Sequence, residues 1–105
     1  MRILKFKVSG QTIKKDPECN FDNIVSGTEG YLVAEFSFSP EWNGCKNIAR
    51  FFRSGKEYAL IVDKNNQCKV PSQVLKGATF TLSCIGSKKD YQITTNKIVI
   101  RQEVS

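Results

Sequence analysis

Seven consecutive residues, Arg50-Phe51-Phe52-Arg53-Ser54-Gly55-Lys56, interleave cations with aromatic rings, the combination that stacks on unpaired bases while neutralising their phosphates. Such a platform needs several exposed rings. Strand alternation sends Phe51 and Phe52 to opposite faces, so one belongs to the core and only the other is offered to solvent. The run is therefore read first as a hairpin with one outward ring, and nucleic acid as a subordinate partner. A second candidate is Trp42, the single tryptophan, in the turn Ser39-Pro40-Glu41-Trp42-Asn43-Gly44. There it is suited to anchor a sugar or a protein partner, or, in the reading we favour, to cap one end of the fold. With Arg53, Lys56, Tyr58, Lys88 and Lys89 it makes up the candidate interaction surface, although Lys88 and Lys89 are also the ordinary residues of a solvated turn.

Catalytic chemistry finds few parts. The chain has no histidine, which removes Ser-His and Cys-His arrangements and the commonest metal ligand. Glu29, Glu35, Glu41, Glu57 and Asp63 sit singly rather than as paired carboxylates. Gly27 and Gly30 are followed by a strand pattern, not by the helix that a phosphate-cradling loop opens. Cys19, Cys45, Cys68 and Cys84 are too widely separated for an ordinary zinc site. Cys68 and Cys84 lie in strand-like stretches and are expected as buried free thiols. No enzyme activity, cofactor or metal is expected.

The elements that position these residues follow from the pattern of the whole chain. At 105 residues and 40% hydrophobic content it is expected to fold as one domain, 1–105, with its own core. The net charge of +6 favours acidic or phosphate-rich partners, but twelve of the sixteen basic residues are Lys, the usual solvated surface cation. There is no apolar run of membrane-spanning length and no secretion signal in Met1-Arg2-Ile3-Leu4-Lys5, so a reducing cytoplasm and no membrane are expected.

Short alternation broken by turn residues dominates, with no long helical period. Residues 2–8 put Leu4, Phe6 and Val8 on one face. Residues 11–30 read as a long loop holding one edge strand, with Phe21, Ile24 and Val25 as its apolar anchors. Residues 31–38 form the clearest strand, with Leu32, Ala34, Phe36 and Phe38 at the centre of the core. Residues 48–53 and 57–63 make a hairpin across Ser54-Gly55-Lys56, and a brief strand carries Cys68 and Val70. Residues 71–76 look like one helical turn between Pro71 and Gly77, plugging an end of the fold with Val74 and Leu75. Residues 79–85 alternate again, 86–90 read as a polar turn, and the last strand lies near 97–104. The fold class is all-β, an immunoglobulin-like antiparallel β-sandwich of seven or eight short strands.

The order of several short motifs resembles a known module. Phe36-Ser37-Phe38-Ser39, Trp42-Asn43-Gly44, Ala49-Arg50-Phe51, Asp63 with Asn65-Asn66-Gln67-Cys68-Lys69-Val70-Pro71, Val74-Leu75, Phe80-Thr81-Leu82-Ser83 with Gly86, and Thr94-Thr95-Asn96 follow one another along nearly the whole chain. In that order they resemble a small β module of bacteriophages and prophages, the N-terminal docking domain of fibre, baseplate or head-appendage proteins. The resemblance implies a virion accessory protein, such as a capsid or tail decoration or adaptor subunit, located in the virion or the host cytoplasm. Fibre-type proteins continue into a shaft that is not expected after the last strand here. That leaves a second reading open, a soluble inhibitor that blocks a host antiviral defence complex, of the anti-CRISPR kind. A third is a cell-wall carbohydrate-binding module using Trp42 and Tyr58.

Overall fold

Leu4, Phe6 and Val8 alternate with lysines, and in the computed structural model, which describes residues 1–104, they lie in strand β1, Arg2–Ser9, each at most 2% exposed. The turn at Gly10-Gln11 returns the chain as the edge strand β2, Thr12–Lys15, antiparallel to β1. The next strand is β3, Leu32–Phe38, whose Leu32, Ala34 and Phe36 are buried on the face expected, while Phe38, expected with them at the centre of the core, ends the strand and is only partly buried against it. The hairpin is β4, Lys46–Arg53, and β5, Lys56–Ile61, joined by Ser54 and Gly55 alone. Both turn residues have positive φ, 51° and 76°, which is the conformation of a type I′ turn matched to the twist of the strands. Four strands complete the set: β6, Gln67–Lys69; β7, Thr79–Lys88; β8, Tyr91–Thr94; and β9, Ile98–Arg101. Nine strands are thus formed where seven or eight were expected.

They assemble into one sheet of order β2-β1-β3-β6 and a second of order β5-β4-β7-β8, with β9 also on β7. Apolar side chains from both sheets join in one core cluster, which makes the fold an all-β sandwich. One strand pairing departs from the antiparallel pattern, since β1 and β3 run parallel over seven register pairs. The reason lies in residues 16–31. They carry the chain from the far side of β1 to its other side at the same end, so β3 must start where β1 starts. Arg2 ties this crossing down, donating from its guanidinium to the carbonyls of Asn20, Asp22 and Asn23 at 2.6–3.0 Å. Phe21 meets Phe6 edge-on at 5.4 Å, and Ile24 is buried.

The ends of the sandwich are closed by two 3-10 turns. Ser72–Val74 seals one end with Val74 and Leu75 both fully buried, as the helical turn expected over 71–76 was to do. Pro40–Trp42 seals the other. Residues 86–90 are not a turn as a block: β7 runs on to Lys88 and the chain reverses only at Lys89-Asp90 before β8. Gly86 explains the difference. Its φ is not positive, so it serves no turn; a Cβ there would lie 2.7 Å from two ring carbons of Trp42, so the glycine is needed for room.

Cys68 of β6 and Cys84 of β7 face inward from opposite sheets as free thiols. Burial, with Asp63 adding to it, pushes the Cys68 thiol up to about 12, and burial followed by the neighbouring Cys68 pushes Cys84 up as well. Both are protonated at neutral pH. A disulfide-exchange reagent at pH 8 should therefore titrate only the half-exposed Cys19 and Cys45 rapidly, with Cys68 and Cys84 reacting only on unfolding. Four fast thiols in the native protein would contradict this packing. The same shift favours the folded state below the free-thiol range, so its contribution is lost as pH rises from there through about 12.

Candidate functional site

Strand β4 carries apolar residues on both faces. Ala49 and Phe51 are buried against the core, while Ile48, Arg50 and Phe52 point outward from the sandwich. The register carries that outward character across the second sheet. Ile61 of β5, Ile48 of β4 and Ile85 of β7 form one row; Ala59, Arg50 and Ser83 form the next; Glu57, Phe52, Thr81 and Val99 form the third. Ile61 is 63% exposed and Val99 53%. An outer sheet face ordinarily alternates to polar residues, so exposed Ile61 and Val99 with half-buried Ile48, Phe52 and Ile85 make this face unusually apolar.

The centre of this face is built around Phe52. The guanidinium carbon of Arg50 lies 5.6 Å from its ring centroid and the Lys97 ammonium 4.1 Å from it. Two cations thus converge on one aromatic ring, each contact contributing about 0.5–1 kcal/mol at an exposed site. Lys97 reaches the ring because of a local irregularity. β7 pairs with β8 up to Ile85 and Thr94 and with β9 from Leu82 and Ile98, so Ser83 and Cys84 face three residues, Thr95, Asn96 and Lys97. That two-against-three count is a β-bulge, a device that re-aims side chains next to functional sites. Thr95 stays on β7: its backbone N–H donates to the Cys84 carbonyl and its hydroxyl accepts from the Cys84 N–H. Asn96 turns to the other sheet, where its side-chain oxygen accepts from the Ile13 N–H at 2.8 Å. Lys97 is left to swing over Phe52.

Two polar atoms in the middle row lack partners. The Ser83 hydroxyl and the Arg50 Nε are buried without any hydrogen bond among the described residues. Orphaned groups of this kind cost about 1–3 kcal/mol each, as much as the two cation–π contacts together return. The row is therefore poorly satisfied in the free protein. What it offers chemically is recognition: positive charge and hydroxyl donors in a ring of apolar side chains, with the Arg and aromatic content typical of binding hot spots.

The residues singled out from the sequence do not gather here. Trp42 is 1% exposed, its Nε1 donating to the Gly10 carbonyl at 3.0 Å and its ring 5.2 Å from Phe38. As an interaction residue it is therefore withdrawn: it is the end cap. Tyr58 is half-buried, opposite Phe51 on the core side of the sheet. Arg53 is held back by donation from its Nε to the Lys76 carbonyl at 2.8 Å. Lys56 stands exposed beside it at the hairpin turn. Lys88 ends β7, bonding the Asn43 carbonyl and lying 4.7 Å from the Tyr91 ring, with Lys89 exposed in the turn beyond. The Arg53–Lys56 pair and the Lys88–Lys89 pair lie at opposite ends of the β4–β7 ladder, about 23 Å apart, too far for one small site.

Sequence reasoning reached Arg50 and one outward phenylalanine in the 50–56 run, without saying which, and missed Ser83 and Lys97. The signal for the face was present in Ile48-x-Arg50-x-Phe52, whose outward parity is apolar where solvent would call for polar residues. The opposite face of the sandwich differs in kind. Lys5, Lys7, Lys14 and Lys69 point outward from the first sheet, with Lys7 and Lys14 directly opposed in register, while Glu35 is engaged by the Gln67 amide at 2.8 Å.

Among the described residues no group of three or more His, Cys, Asp or Glu side chains is placed to hold a metal ion, and no helix is long and apolar enough to cross a membrane. The fold and this face define the class as a β-sandwich with one apolar, cation-bearing sheet surface and one lysine-rich one. No protein-family model and no curated protein matches the chain.

Proposed function

We propose that this chain is a non-enzymatic binding protein that docks onto a protein partner through the outer face of its β5-β4-β7 sheet. The observation that carries the reading is the apolar sheet face that runs from exposed Ile61 to exposed Val99 through half-buried Phe52, with Arg50 and Lys97 over the Phe52 ring. Surfaces of this composition are covered in the assemblies they serve. The order of sequence motifs supports the setting, a phage virion in which the module decorates or adapts a capsid or tail surface. Repetition of the partner in a symmetric particle would raise the effective affinity of a small contact.

A second reading, a soluble phage or prophage inhibitor of a host antiviral defence complex, is favoured by the lysine face of the first sheet, which would be drawn to an acidic protein surface. The carbohydrate reading loses its support, because Trp42 is buried and Tyr58 packs against the core. Affinity capture with tagged protein from phage-infected lysate, with Phe52→Ala run beside it, separates these readings. Capsid or tail proteins held by the wild type and released by the variant support the virion role. A host nuclease or other defence protein with the same dependence establishes the inhibitor instead. Retention unaffected by the variant overturns docking through this face.

A further inference from the structure

We propose that the row Arg50, Ser83 and Lys97 is a receptor for a carboxylate carried on an extended, otherwise apolar segment of the protein partner, an inference that rests on the docking face described above. Four observations converge on it. Arg50 and Ser83 are directly opposed in register, and Lys97 stands next to Ser83 across the bulge, so two cations flank one hydroxyl in a single line across three strands. Both cations lean over Phe52 rather than away into solvent, so their charged heads lie within about 10 Å of each other, the bound set by their two distances to the ring. The Ser83 hydroxyl and the Arg50 Nε–H are donors with no acceptor among the described residues. The row on one side is apolar, Ile61, Ile48 and Ile85, and the row on the other sets Phe52 and Val99 among Glu57 and Thr81.

The chemistry of the occupant follows. Guanidinium and ammonium present only positive charge and hydrogen-bond donors, and the hydroxyl beside them can donate as well, so a carboxylate gains charge-assisted hydrogen bonds here that a neutral amide does not. Ile48 and Phe52, two residues before and after Arg50, set what surrounds that carboxylate: apolar side chains one row to each side, as along a strand whose acidic residue has apolar residues two positions before and two after it. Glu57, opposite Phe52 on β5, is the carboxylate of this chain nearest in register, and it stands in the neighbouring row, not in this one. Ser83 itself is fully buried, so its hydroxyl meets an incoming carboxylate only when the side chains over it move, the kind of rotamer change that long side chains such as Arg50 and Lys97 make.

The test uses the full chain, labelled with 15N, and two short probes, acetyl-Ile-Thr-Glu-Thr-Val-amide and the same peptide with Gln in place of Glu. The Glu peptide is expected to shift the amide signals of Arg50, Ser83 and Lys97 in saturable fashion, at least tenfold more tightly than the Gln peptide. Arg50→Gln should reduce the Glu peptide to the level of the Gln peptide, and Lys97→Gln, at an exposed position that the core does not depend on, should weaken it several-fold if the first variant folds poorly. Equal binding of the two peptides overturns the carboxylate receptor while leaving the docking face intact. So does a response to neither peptide when lysate capture still depends on Phe52, and so does a Glu response confined to Lys5, Lys7 and Lys14 on the opposite sheet. Failure of the docking reading shows separately, as capture indifferent to Phe52→Ala.

Discussion

Trp42→Ala should lower unfolding free energy by about 3–5 kcal/mol, the range for removing a large aromatic from a core. That is a large share of the 5–15 kcal/mol typical of a domain. Trp42 closes the sandwich end that Phe38 leaves open at 5.2 Å, and it satisfies the Gly10 carbonyl in the β1–β2 turn. Its ring also lies against Gly86 of β7 in the second sheet, so one side chain ties both sheets together. Urea unfolding followed by circular dichroism measures the loss, since the variant removes the fluorophore. The reciprocal change tests the fit: Gly86→Ala sets a carbon 2.7 Å from the indole ring and should cost about 1–3 kcal/mol. Combining the two should cost less than their sum, because the smaller side chain at 42 makes room for the methyl group. A loss under about 1 kcal/mol for Trp42→Ala would mean that the indole does not lock this end.

Phe52→Ala should differ from a core substitution. Stability is expected to fall by only about 1–2 kcal/mol, the sum of two exposed cation–π contacts on a half-buried outward ring, whereas partner capture should fall about thirtyfold, the equivalent of a 2 kcal/mol hot-spot residue. Phe51→Ala, one residue away and fully buried, provides the contrast: about 3–5 kcal/mol of stability lost, and binding lost only with the fold. Chemical denaturation and lysate capture on the same preparations decide between them. If Phe52→Ala destabilises as much as Phe51→Ala, the second sheet packs from both sides and its outer face is not a docking surface.

Much of this fold is legible because strand alternation is a local property. The inward sets Leu4-Phe6-Val8, Leu32-Ala34-Phe36 and Phe80-Leu82-Cys84 were each readable as one face, and each is buried. The Ser54-Gly55 turn was readable for the same reason, being chemistry confined to two residues. Strand β8 was missed because Tyr91 to Thr94 has little apolar content of its own and is held as a strand by its ladder to β7. Gly86 was taken for turn punctuation because a glycine needed for space and a glycine needed for positive φ are the same letter.

The candidate site was legible only in part, and the division has a physical cause. Sequence by itself determined that this is an all-β chain with a hydrophobic core, that only one of Phe51 and Phe52 belongs to that core, and that Cys68 and Cys84 lie in strands. Those are consequences of the two-residue period of a strand, which needs no partner to be read. Tertiary structure alone decided that β1 and β3 run parallel, that Trp42 is a cap and not an anchor, and that Arg50, Ser83 and Lys97 meet beside Phe52. Each depends on which strands become neighbours, in what register, and where a bulge adds one residue. Pairing across 33 positions of sequence, as between Arg50 and Ser83, is set by the packing of the whole sandwich and leaves no trace in either segment alone.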